Sequence, residues 1–74
     1  MGESDFLENV DLMAIARDVL TAKQLAVWEL DDRGFSQYQI AAALDIGRGT
    51  VRDHLLAATR RIAKELRTRQ AEGS

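Results

Sequence analysis

Residues 36–56 read SQYQIAAALDIGRGTVRDHLL, and the spacing within this stretch predicts a short helix, a tight turn and the start of a longer helix. Ser36 is a natural N-cap, and Gln39 stands three residues on, where its side chain can reach back to close a capping box. Ile40, Ala41 and Leu44 then form one apolar face. The turn falls at Leu44-Asp45-Ile46-Gly47. Asp tolerates the left-handed conformation that a sharp helix end demands, though less readily than Gly. Gly47 is an acceptable N-cap for the next helix, along which apolar residues resume at Val51 and Leu55.

Two helices crossing steeply need their backbones close together, and the small Ala41 permits that approach. Ile40, Leu44, Ile46 and Val51 are the expected filling beneath the crossing. This is the helix-turn-helix pattern, in which the second helix is held outward to enter the major groove of DNA. A helical hairpin with no nucleic-acid role shares the same spacing.

Working outward toward the N-terminus, Phe35 is placed as a staple residue against Ile40. Gly34 closes a preceding helix as a left-handed terminator after Asp31-Asp32-Arg33. That helix begins at a Thr21 cap with Gln24 at the capping-box position, and its apolar residues are Leu25, Val27, Trp28 and Leu30. Trp28, set within this apolar face, is read as a core anchor rather than a base-stacking platform. A first helix is expected from a Ser4 or Asp5 cap to about Val19. Its apolar residues form two lines, Phe6–Val10–Met13 and Leu12–Ile15/Ala16–Val19, wider than one small core requires. One line is assigned to the core, and the other is available to a partner or a second copy.

Toward the C-terminus, Val51, Leu55, Ala58, Ile62 and Leu66 make one continuous stripe. The last helix is therefore expected to run to about Arg69, with residues 70–74 frayed. The expectation is one all-α, four-helix helix-turn-helix domain with a long C-terminal recognition helix, its core spanning residues 5–69.

The chain has 74 residues, no Cys, no Pro and one His, so disulfides and thiolate metal sites are excluded and no cofactor or metal is expected. No apolar run approaches a membrane span, and the acidic N-terminus MGESDFLEN is unlike a targeting sequence, so a cytoplasmic protein is expected. No Gly-rich phosphate loop or paired nucleophile and base suggests an enzyme. The net charge of −2 is unevenly spread. Residues 1–35 carry eight acidic and three basic groups, whereas residues 36–74 carry seven basic and four acidic ones. A basic half containing the motif is the polarity expected of a DNA-binding face with an acidic back.

With Val51 and Leu55 pointing inward, Arg48, Thr50, Arg52, Asp53 and Leu56 fall on or near the exposed side of the last helix. Arg52 is expected to read bases, since Arg suits bidentate recognition of guanine, and Arg48 either to read bases or to clamp phosphate. Asp53 can accept from cytosine or orient Arg52. Gly49 lets backbone approach a phosphate. Gln37 and Tyr38 are placed for phosphate contact at the start of the supporting helix, and Arg60 or Arg61 for the flanking backbone. His54 is read as a partly buried packing residue.

Leu20 through Leu30, then Gly34, Ser36, Ile40-Ala41, Leu44, Ile46, Thr50-Val51-Arg52 and Leu55, together resemble the four-helix DNA-binding domain shared by the last region of bacterial sigma factors and the LuxR-type response regulators. The register agrees without insertion from Leu20 to Leu55. His54 looks like the LuxR branch, and Ala58-Thr59-Arg60-Arg61-Ile62 looks like the sigma-factor branch. Gly47 stands where the family usually opens the recognition helix with Ser. The resemblance implies sequence-specific binding of double-stranded DNA by a small transcriptional regulator, either stand-alone, as in phages, or a domain excised from a longer protein. The expected partners beyond DNA are a second copy, through the first helix or the distal last helix, and RNA polymerase or a regulatory protein. A protein-interaction module of the same fold and an architectural DNA binder are the alternatives.

Overall fold

The computed structural model describes residues 11–72. Within them lie four helices and no strand: α1 (Leu12–Val19), α2 (Ala22–Asp32), α3 (Gln37–Leu44) and α4 (Arg48–Glu72). None is long and apolar enough to cross a membrane.

Each boundary has a local cause. The Asp11 carboxylate accepts from the Met13 and Ala14 N–H groups at 3.1 and 3.2 Å, and its backbone is extended (φ −93, ψ 97). A helix running unbroken from residue 5 to Val19 is therefore corrected: Asp11 starts a helix of its own, and the expected Ser4 or Asp5 cap lies outside the described residues. Leu20 turns extended (φ −90, ψ 148), which throws Thr21 directly into the next cap. Both predicted capping boxes are formed. Thr21 and Gln24 exchange side-chain-to-backbone bonds at 3.1 and 3.2 Å, and Ser36 and Gln39 do so at 2.8 and 3.1 Å.

Gly34 takes φ +92; its N–H donates to the Asp31 carbonyl at 3.0 Å and that of Phe35 to Leu30 at 3.1 Å. These two bonds close α2 with a Schellman motif. Phe35, the residue placed as a staple, is 40% exposed.

The apolar residues fall into two clusters strung along α4. In the first, Val27, Ile40, Ala41 and Val51 are buried, with Leu30, Leu44, Ile46 and Leu55 packed around them. In the second, Ile15, Ala16 and Ile62 are buried, with Met13, Val19, Leu20, Leu25, Trp28 and Leu66 around them. Helix α2 lies between the two and serves both, Val27 and Leu30 facing one cluster and Leu25 and Trp28 the other. This explains why its apolar residues do not form a single stripe. Ile40, Val27 and Val51 are the largest fully buried side chains, each stabilising the fold by about 1.5–3 kcal/mol relative to exposure.

At about 1.5 Å rise per residue, the 25 residues of α4 span about 37 Å, which accounts for most of the 42 Å long dimension of the chain. The helix continues through Gln70, Ala71 and Glu72, where fraying was expected. Arg69 Nε donates to Glu65 Oε2 at 2.7 Å, an i,i+4 pair that supports the turn before it.

Candidate nucleic-acid interface

Helix α3 ends at Asp45, which adopts the left-handed conformation (φ 56, ψ 49) anticipated for it. The Ala41 carbonyl accepts from the N–H groups of both Asp45 and Ile46, the latter at 3.0 Å. This hairpin places the start of α4 beside the start of α3. The orientation of α4 about its own axis is then set by Val51, which is completely buried with Val27, Ile40 and Ala41. Residues about 100° round from Val51 must face outward, and Arg48, Gly49, Thr50, Arg52 and Asp53 are all exposed.

Five of the eight predicted site residues come together. Gln37 and Tyr38 from α3, and Arg48, Gly49 and Arg52 from α4, line one open depression of about 380 Å³ with Ser36. The Arg48 guanidinium carbon lies 4.1 Å from the centroid of the Tyr38 ring, a distance at which the cation is attracted to the ring face. Tyr38 nevertheless remains 67% exposed. Gly49 has no neighbour within 4 Å of where a Cβ would stand, so its backbone is open to a ligand. Thr50 and Asp53 are exposed on α4 but do not line the depression. Leu56, 47% exposed, continues the outer side of the helix beyond Asp53.

Arg60 is separated from this group. It lines a different depression, of about 390 Å³, with Val19, Arg61, Lys64, Glu65 and Thr68. Arg61 Nε donates to the Val19 carbonyl at 2.8 Å, placing a cation at the C-terminal end of α1, where helix carbonyls and the helix dipole favour it. Arg69 bridges Asp18 at 3.2 Å as well as Glu65. The Glu65 hydrogen bond, aided by Asp18 and opposed by desolvation, raises its guanidinium pKa above the ordinary value. Two of the basic residues counted toward the positive half thus tie α1 to α4. No local pattern announces this, because the partners are 42 and 51 residues away.

His54 is half-buried, as read from the sequence. With Lys23, Val27, Leu44 and Ile46 it edges a third depression, of about 230 Å³. No family model, no curated protein and no solved structure matches this chain.

Proposed function

We propose that the chain is a DNA-binding module in which α3, the Asp45 turn and the first turns of α4 act as a helix-turn-helix, with α4 entering the major groove. The observation that carries this reading is the convergence of Gln37, Tyr38, Arg48, Gly49 and Arg52 on one open face, beside the buried Val51. In this reading Arg52 hydrogen-bonds a guanine edge and Arg48 meets a base or a phosphate. Gln37 and Tyr38 contact the backbone, and the bare backbone at Gly49 admits a phosphate oxygen. Thr50 and Asp53 flank the base-reading residues. Such a protein acts in the cytoplasm as a small transcriptional regulator of the sigma-factor and LuxR type. Two copies are expected to bind together, because a single small motif offers few base contacts.

The rival is an interaction module that binds polymerase, a sigma-regulating protein or a second copy. The apolar side chains left in water favour it: Leu56 on α4 and Leu12 on α1 are 47% and 45% exposed. Against that, Leu56 beside Arg52 and Asp53 also suits contact with a thymine methyl group.

Selection of bound duplexes from a random pool tests the proposal. A sequence preference with half-site symmetry is expected. Equal affinity for all sequences indicates an architectural binder instead. No duplex binding at low salt, beside a stable complex with protein, sinks the DNA reading.

A further inference from the structure

The side of α4 turned away from both apolar clusters is a single exposed ridge: Gly49, Asp53, Leu56, Arg60, Lys64 and Arg67. Its proximal half carries no positive charge, and its distal half is entirely cationic. The side chains of Arg60, Lys64 and Arg67 have no hydrogen-bond or ion-pair partner among the described residues, whereas those of the neighbouring Arg61 and Arg69 are both engaged. Like charges at i,i+4 and i,i+3 spacing repel one another on a helix, so these three stand in mutual repulsion that a linear array of negative charge relieves. An isolated acidic group would neutralise only one of them.

The dimensions agree with duplex DNA. The major groove is about 12 Å wide, which at about 1.5 Å per residue corresponds to roughly eight residues of helix. Arg60 stands eight residues beyond Arg52, about 12 Å along the helix, so with Arg52 at the bases it lies at or beyond the edge of the groove, over the phosphates. Lys64 and Arg67 follow over about the next 10 Å, outside the groove.

Resting on the DNA-binding reading above, the geometry points to Arg60, Lys64 and Arg67 as a second interaction surface, one that holds the phosphate backbone outside the groove and carries no sequence information. Helix α4 is thereby divided: its first turns select sequence, and its distal ridge supplies charge-driven affinity.

The test compares the full chain with R60Q/K64Q/R67Q, using a duplex taken from the random-pool selection. Each neutralised phosphate contributes about 0.9 to the slope of log affinity against log salt. The triple variant is expected to lose about 2–3 from that slope, to bind more weakly at low salt and to retain the wild-type sequence preference. The charge-retaining variant R60K/K64R/R67K is expected to keep the slope, and unchanged helical circular dichroism in both variants separates the effect from misfolding. An unchanged slope in the glutamine variant overturns the ridge assignment while leaving the motif reading intact; the ridge then meets solvent or an acidic protein. Failure of the wild-type chain to bind any duplex overturns both.

Discussion

The guanidinium carbon of Arg48 lies 4.1 Å from the Tyr38 ring centroid, joining the first turn of α4 to the first turn of α3 across the Asp45 turn. A long flexible cation is thereby held by a planar ring that itself stays 67% exposed. Arg48 reaches a ligand with part of its conformational freedom already lost, so less ordering entropy opposes binding.

Tyr38 is consequently expected to act largely through Arg48. An exposed cation–π contact contributes about 0.5–1 kcal/mol. Tyr38→Ala should therefore weaken duplex binding by about two- to fivefold, and Tyr38→Phe, which keeps the ring, by less. Titrations of both variants at one salt concentration decide this. Equal losses in both would point to the hydroxyl, as a direct phosphate donor, instead.

Arg52 has no intramolecular partner among the described residues and borders the same depression. Arg52→Ala is expected to cost about 1–3 kcal/mol of specific binding and to relax preference at one base position. Repeating the duplex selection with the variant measures both. Unchanged affinity together with unchanged preference would remove Arg52 from base reading.

Gly49 lies in the first turn of α4 with open space where its Cβ would be. Gly49→Ala should therefore raise stability, by about 0.5–1 kcal/mol, because Gly disfavours helix. The added methyl should at the same time weaken DNA binding if the backbone here approaches a phosphate. A higher melting temperature with lower affinity is the expected pair of results; higher stability with undiminished affinity would show that nothing approaches this backbone.

Gly34 should behave in the opposite way. Nothing crowds its Cβ position either, but its φ of +92 is unfavourable for any residue with a side chain. Gly34→Ala is expected to destabilise the chain by more than about 1 kcal/mol, lowering the melting midpoint by roughly 4–8 °C per kcal/mol for a domain of this size. Thermal denaturation followed by circular dichroism reads this directly.

Ile40 is fully buried at the meeting of α2, α3 and α4. Ile40→Ala should cost about 2–5 kcal/mol, a large part of the marginal stability of so small a chain. Urea denaturation measures the loss, and a cost under about 1 kcal/mol would mean that this cluster is loosely packed.

What the sequence determined by itself was whatever depends on residues within a few positions of one another. The Thr21–Gln24 and Ser36–Gln39 boxes, the Gly34 terminator and the left-handed Asp45 are all of this kind, because each bond closes within one helical turn. The stripe Val51–Leu55–Ala58–Ile62–Leu66 likewise settled which side of α4 faces inward, and hence that Arg48 and Arg52 face out. The break at Asp11 has no such local signature, because a polar residue between two apolar lines reads equally well as helix surface or as a cap. The tertiary structure alone decided three things. Helix α2 divides its apolar residues between two clusters, Arg48 settles on Tyr38, and Arg61 and Arg69 are drawn to the end of α1. The physical reason is common to all three: an exposed arginine or an apolar side chain has many equivalent partners in the sequence, and only the docking of distant helices brings one of them within a few ångströms.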